Sequence, residues 1–313
     1  MPLTLISSKR FVDHVTPVGH PERPERAEVF ESVARSFAET GGRVLEPRAA
    51  TDDDLARVHT REHIAAIVAT RGRATMLDPD TFTSPDSEEI ARLAAGAVLT
   101  GVDQALDGPP QSRALVMVRP PGHHAEADRA MGFCFYNNIA VGAAYARSRG
   151  CARVAIVDYD VHHGNGTQWT FYEDPTVLFV SSHQYPFYPG TGAASEKGKG
   201  AGVGFTLNIP LAAGTKDEEI ERKYAEQVVP ALGAFKPDLL MVSAGFDAHE
   251  LDPLGQLRLT TEGFGRLTKM LIAEADALCE GRAVLVTEGG YDLTAIAQCL
   301  RSVITISASS TAS

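Results

Sequence analysis

Five short apolar runs recur along the chain, at residues 114–118 (ALVMV), 154–160 (VAIVDYD), 177–183 (VLFVSSH), 239–245 (LLMVSAG) and 283–290 (AVLVTEGG), and each ends in small or polar residues. Segments with a helical apolar period surround them, at 25–40, 87–106, 137–149, 218–234 and 262–279. Strands alternating with helices imply parallel pairing through helical crossovers. Parallel strands are buried on both faces, which explains why the runs are continuously apolar. The expected fold class is α/β, an open, mainly parallel sheet with helices on both faces. Ligands of such sheets bind beyond the strands' carboxyl ends, where the polar residues of this chain fall.

Within the second run, Asp158, Asp160 and His162 occupy every second position. If the strand continues, they share one face while Tyr159 and Val161 point the other way. Buried carboxylates without partners cost several kcal/mol, so either the strand end is solvated or something positive sits among them. A divalent metal is one such group. The other strand ends tip the balance towards it: Pro120, Pro121 and Gly122 form a rigid turn presenting His123 and His124, GFDAH offers Asp247, and Tyr291 follows two glycines. A shared metal site at the strand ends is expected.

With 313 residues, 44% hydrophobic and 22% charged, the chain can bury a sizeable core. A single catalytic domain is expected over 1–306, with 307–313 (SASSTAS) a disordered tail and 190–204 a long surface loop. A net charge of −11 without Lys/Arg clusters excludes sequence-independent nucleic-acid binding as an expectation. No apolar run approaches the ~20 residues of a membrane span, and residues 1–10 lack a signal-peptide core. Cys134, Cys151, Cys279 and Cys299 form no CxxC pair, which fits a reducing compartment. A cytoplasmic protein without membrane or nucleic-acid partners is expected, and a homo-oligomer is left open.

HPERPER (20–26), RPPGHHA (119–125), GFCFYNN (132–138), DYDVHHGNGTQ (158–168), YPGTG (188–192), GFDAH (245–249) and EGGYDL (288–293) together resemble the histone deacetylase superfamily. That group includes bacterial histone-deacetylase-like amidohydrolases, acetylpolyamine amidohydrolases and acetoin-utilisation proteins. The motifs occur in the family's order over nearly the whole chain. The resemblance implies an arginase-like open α/β sheet and a zinc-dependent deacetylase of bacterial, class II-like type.

Carried over position by position, the resemblance makes Asp160, His162 and Asp247 the zinc ligands. Such an O/N/O set leaves positions open for water and a carbonyl oxygen, although Fe²⁺ or Co²⁺ accepts the same donors. His123 and His124 match the catalytic pair, with Asp158 orienting and charging His123 and His124 the principal general base. Asn165 stands where some relatives carry a second Asp. An amide cannot hold an imidazolium by charge, so His124 is easier to keep neutral. Tyr291 matches the donor to the developing oxyanion, a role worth roughly 3 kcal/mol in comparable donors.

Phe133 and Tyr188 match the aromatic walls of an acyl-amine tunnel; the competing reading is core packing, and the adjacent Gly132 and Gly190 favour the tunnel. Asp80, in the loop LDPDTFTSPDSEE, is the candidate acidic residue at the rim. Main-chain carbonyls around Asp158, Asp160 and His162, with Ser181 and Ser182, match a monovalent-cation site, which implies K⁺. His163 points to the opposite face as a buried structural histidine. Arg26 either lies beneath the site, guiding acetate release, or is a surface arginine at a helix start.

Other classes remain to be weighed. An arginase-type ureohydrolase shares the implied fold but needs a carboxylate-rich dimetal cluster. A silent binder of acetylated ligands would retain the pocket, yet the His pair and Tyr291 speak against it. The expected substrates are acetyl-lysine peptides, with acetylpolyamines the alternative.

Overall fold

The computed structural model describes residues 3–309. Its strands are β1 (Leu3–Ile6), β2 (Arg43–Leu45), β3 (Thr75–Asp78), β4 (Thr81–Thr83), β5 (Arg113–Val116), β6 (Val154–Asp158), β7 (Val177–Gln184), β8 (Thr206–Leu211), β9 (Leu239–Ala244) and β10 (Ala283–Thr287). β3 and β4 form an antiparallel hairpin, and the other eight make one sheet in the order β2-β1-β5-β10-β9-β6-β7-β8. All its neighbours are parallel. The helices are α1 (Glu25–Glu39), α2 (Asp52–Leu55), α3 (Arg61–Val68), α4 (Ser87–Asp107), α5 (Asn138–Ser148), α6 (Asn165–Phe171), α7 (Asp217–Lys223), α8 (Val229–Phe235), α9 (Thr261–Leu278) and α10 (Leu293–Ser307).

Alternate strand residues feed two cores. Ala155, Val157, Ala283 and Leu285 pack with Phe30 of α1, Phe264 and Leu267 of α9 and Leu300 of α10. Val154, Ile156, Val284 and Val286 pack on the other face with Ala94 and Val98 of α4 and Ile139 and Ala140 of α5. The continuous apolar runs thus serve both faces of a covered parallel sheet. Among the described residues no helix is long and apolar enough to cross a membrane.

The differences from expectation have local causes. The strands predicted over 154–160 and 283–290 stop at Asp158 and Thr287, so nearly all the chemistry-bearing residues lie in loops past the carboxyl edge. The predicted helix 218–234 is split into α7, a π-turn at Tyr224–Val228 and α8. Pro230, in the first turn of α8, has no N–H to continue an α-helical ladder. β8 escapes a pattern reading because it contains Asn208 and Pro210, and it sits at the sheet edge where Pro is tolerated. β1, β2, the hairpin, α2, α3, α6 and α10 are likewise additions to the five-run pattern.

The expected tail boundary is also corrected. Ser307 is the last residue of α10 and fully buried, and the Arg113 guanidinium donates to the carbonyls of Ser307 and Ser309, each at 2.9 Å. The remainder of the expected tail, 310–313, lies outside the described residues.

α4 packs so closely on the chain before α2 that a Cβ on Gly96 would lie 1.9 Å from the Arg48 carbonyl oxygen and 2.7 Å from Ala50 N. Alanine gains about 1 kcal/mol of helix propensity over glycine. Forcing backbones apart in a packed interior costs about 1–3 kcal/mol or more. Gly96→Ala is therefore expected to destabilise, by about 1 kcal/mol or more, read as a lowered urea midpoint; an unchanged or raised midpoint contradicts this packing.

Candidate active site

The carboxyl ends of β5, β6, β9 and β10 meet at one place. Asp158, the last residue of β6, accepts the Asp160 N–H on Oδ1 at 3.0 Å, and Asp160 Oδ1 accepts the His162 N–H at 2.9 Å. These successive side-chain-to-backbone turns end the strand. Asp160 and His162 therefore reach the pocket from bends, which replaces the pleat-sharing expected from their spacing. Asp247 comes from the loop after β9 and is tied back by Val161 N–H donating to its Oδ1 at 2.9 Å.

Asp160, His162 and Asp247 each offer a ligand atom within 4.8 Å of the others. His162 Nδ1 lies 3.1 Å from Asp160 Oδ1 and 3.2 Å from Asp247 Oδ2. Both carboxylates are fully buried. Burial, and next the charge of Asp160, pushes the Asp247 carboxyl up, while the neighbouring His162 opposes the rise. Two glycines let them settle against backbone. A Cβ on Gly245 would lie 2.0 Å from Asp160 Oδ2, and one on Gly289 would lie 2.0 Å from Asp247 Oδ2. Gly289 N–H also donates to Asp160 Oδ2 at 2.8 Å. The donor types, their convergence and their burial fit a divalent ion.

His123 and His124 follow the turn after β5, their rings 4.0 Å apart, and the chain gives them different partners. His123 Nδ1 is 2.9 Å from Asp158 Oδ2, whereas His124 Nδ1 is 2.7 Å from Asn165 Oδ1. The Asn165 amide is oriented by its Nδ2 donating to Glu126 Oε1 at 2.8 Å, so His124 Nδ1 carries the hydrogen and Nε2 the lone pair. Burial opposes charge on both rings. The Asp160 and Asp158 carboxylates nevertheless hold His123 well above the usual histidine value. Burial, then His123 and His162, hold His124 well below it. A ring biased towards imidazolium thus stands beside one biased towards neutral imidazole.

A cavity of about 100 Å³ opens over these groups. Phe133 and Tyr188 line it, the Tyr188 ring edge-on to His124 at 5.1 Å and Phe133 edge-on to Tyr291 at 5.8 Å. Gly132 has φ +57°, and a Cβ there would meet His124 Cδ2 at 2.4 Å. Asp80 also lines the cavity, its Oδ1 accepting from Gly132 N–H at 3.1 Å and Thr81 Oγ1 at 2.9 Å, so it braces the wall as well as bordering the rim. Tyr291 closes the far side, and burial, then Asp247, keeps its hydroxyl protonated. Behind the cavity, Ser182 Oγ is 3.5 Å from the Asp158 carbonyl, while Ser181 Oγ pairs with His183 Nδ1 at 2.9 Å. His163 is buried elsewhere, bonded to Thr191 Oγ1 at 2.7 Å and Gln168 Oε1 at 2.9 Å.

Of the two readings of Arg26, the surface one is excluded, since the residue is 1% exposed. It donates to the carbonyls of Glu288 at 2.6 Å and Gly290 at 2.7 Å, with its guanidinium 5.2 Å from the Tyr291 ring centre. Its charge is balanced by Glu22, which accepts from Arg26 at 2.9 Å and from Arg119 at 2.7 and 2.8 Å. Arg119 also donates to the carbonyls of Phe11 and His14. Sequence reasoning singled out neither Glu22 nor Arg119, although both stand inside motifs it quoted. It also omitted Glu288, whose Oε2 accepts from Gly122 N–H at 2.7 Å and His123 N–H at 3.1 Å, and the cavity-lining Leu254, while Pro121, read as part of the turn, lines the cavity as well.

This edge of an open parallel sheet, with its carboxylate-imidazole triad, split histidine pair and tyrosine, defines a hydrolase of the histone deacetylase type. The chain belongs to the histone deacetylase family: the histone deacetylase domain matches residues 20–307. It is 40% identical to histone deacetylase 10, chloroplastic, of Oryza sativa, over 88% of this chain and 67% of that one. It is 38% identical to a probable deacetylase of Archaeoglobus fulgidus, over 92% of this chain and 81% of that one. The crystal structure of the HDA15 HD domain superposes with a TM-score of 0.90 at 38% identity, covering 97% of this chain and 89% of that one.

Glu22 is fully buried between two arginines and sits well below the ordinary glutamate value, because Arg119 and then the other partners overcome the desolvation that opposes its charge. Removing that charge leaves two buried cations uncompensated, a loss of about 3–5 kcal/mol. Glu22→Gln is expected to lose that much stability at pH 7. A depressed carboxyl value contributes fully above its unfolded value and is lost as pH falls towards the folded one. The gap between wild type and variant should thus be constant above pH ~5 and narrow below the ordinary glutamate value. Urea titrations at pH 7 and in the acid range check both statements.

Proposed function

We propose that the protein is a zinc-dependent deacetylase that removes acetyl groups from lysine side chains. The observation that carries this reading is the pairing of His123, bonded to the Asp158 carboxylate, with His124, bonded to the Asn165 amide, beside the Asp160, His162 and Asp247 cluster. In that cluster a zinc ion would polarise the amide carbonyl and acidify a water. His124 Nε2 then accepts the water's proton as the C–O bond forms, and the His123 imidazolium, held by Asp158, donates towards the negative charge that develops. The Tyr291 hydroxyl donates to the carbonyl oxygen as it gains charge. Proton delivery from the histidine pair to nitrogen lets the C–N bond break, giving acetate and a free amine. Among the described residues one such triad occurs, which favours this reading over a dimetal ureohydrolase. Potassium at the Asp158–His162 carbonyls with Ser181 and Ser182 belongs to the same proposal, as does a reducing cytoplasmic setting, supported by four free buried cysteines.

Phe133 and Tyr188 suit a linear alkyl stem. Beyond the mouth, a cavity of about 880 Å³ shares Leu254 and Tyr291 with the tunnel and runs along Pro17, Val18, Pro21 and Pro253. Arg23, Glu25 and Glu28 also line this channel, and its size and mixed lining suit the flanks of a peptide better than a short polyamine, which supports acetyl-lysine peptides as the preferred reading over acetylpolyamines.

The purified protein is expected to hold about one transition metal per chain, to lose activity to chelators and to regain it with zinc. Asp247→Ala should lose metal and turnover together; full activity in a metal-free preparation or in that variant defeats the assignment. For the substrate, kcat/KM on the best of a panel of acetyl-lysine peptides should equal or exceed that on N-acetylputrescine. A hundredfold preference for the polyamine, about 2.7 kcal/mol, reverses the order.

A further inference from the structure

Asp252 lies in the loop that carries Asp247 and Leu254, and it is 8% exposed. Its Oδ2 accepts the N–H of Tyr291 at 2.6 Å and of Asp292 at 3.2 Å, while its Oδ1 accepts the N–H of Leu254 at 3.0 Å. One carboxylate thus joins the loop after β9 to the loop after β10. The second loop is otherwise held upstream of Tyr291, where Gly289 N–H donates to Asp160 Oδ2 at 2.8 Å and the Gly289 carbonyl accepts from Phe246 N–H at 3.0 Å. Gly289 and Gly290 precede Tyr291 without side chains, and Gly290 has φ +119°, which few residues but glycine adopt. Arg26 holds this segment through carbonyl oxygens, at Glu288 and Gly290, and Asp252 holds it through N–H groups. Past Asp292, α10 takes over, with Asp292 capping Ala295 N–H at 2.8 Å.

We propose that Asp252 is a positioning residue that acts through Tyr291, fixing the backbone from which the tyrosine hydroxyl is aimed across the tunnel. This rests on the reading of Tyr291 as the oxyanion donor. Donors of this kind must be held within about 0.5 Å of their productive place, and a 1 Å error can cost about a hundredfold in rate. Loss of the carboxylate frees the N–H groups of a glycine-flanked segment, and the hydroxyl loses its aim while the metal triad and the histidine pair keep theirs. Asparagine can serve the Tyr291–Asp292 side or the Leu254 side, and is expected to fall between aspartate and alanine.

The test is a double-substitution cycle in the zinc-loaded full chain, assayed on an acetyl-lysine peptide. Asp252→Ala should lower kcat at least tenfold with metal content and binding of an alkyl hydroxamate retained. Placed on Tyr291→Phe, itself at least tenfold impaired, it should cost less than a further twofold. An equal loss in both backgrounds, or none in either, overturns the inference while leaving the function of Tyr291 intact. Wild-type kcat in Tyr291→Phe alone overturns both. If Asp252→Ala does not fold, Asp252→Asn carries the same cycle: a loss of threefold or more in the tyrosine background that disappears in the phenylalanine background supports the inference, and the same factor in both overturns it.

Discussion

Six carboxylates are buried at one edge of the sheet: Glu22, Asp158, Asp160, Asp247, Asp252 and Glu288. The permanent cations buried with them are Arg26 and Arg119, and both are paired with Glu22. The remaining negative charge is met by backbone N–H groups, by the two histidines His123 and His162, and by whatever cation the triad takes up. Desolvation on this scale costs several kcal/mol per unpaired ion. The rest of the architecture follows from that constraint: glycines where carboxylates touch backbone, strands that stop where side-chain oxygens capture N–H groups, and a helix arginine drawn beneath the sheet edge.

The histidine pair shows how finely the same fold distributes charge. The two rings are adjacent in sequence and share a degree of burial that disfavours charge in both. What separates them is the set of neighbours, the Asp160 and Asp158 carboxylates for His123, and for His124 an amide from the start of α6 together with the rings of His123 and His162. Because Asp158 and Asn165 are only seven residues apart, a single strand-turn-helix unit sets both protonation states.

The central strands and the long helices are readable from sequence because burial on two faces writes itself as continuous apolar runs and periodic stripes. The triad, the histidine pair and Tyr291 are readable because polar residues cluster at strand ends that topology brings together. The pleat argument puts Asp158, Asp160 and His162 on one face of a strand, whereas the strand stops at its first aspartate and the other two reach the same pocket from bends. Glu22, Asp252 and Glu288 look like ordinary loop charges in the sequence. Their partners stand 97, 39 and 166 residues away, so what they do is defined only after the chain has folded.

The strand order has a consequence for how the protein is made. β10, the last strand synthesised, inserts between β5 and β9 in the middle of the sheet. Until it emerges from the ribosome, β2-β1-β5 and β9-β6-β7-β8 are two half-sheets, each with an apolar inner edge whose backbone groups are unpaired. Such edges are templates for pairing with other chains. The central place of β10 therefore couples closure of the sheet to assembly of the pocket, because the strand that joins the two halves is also the one that delivers Tyr291.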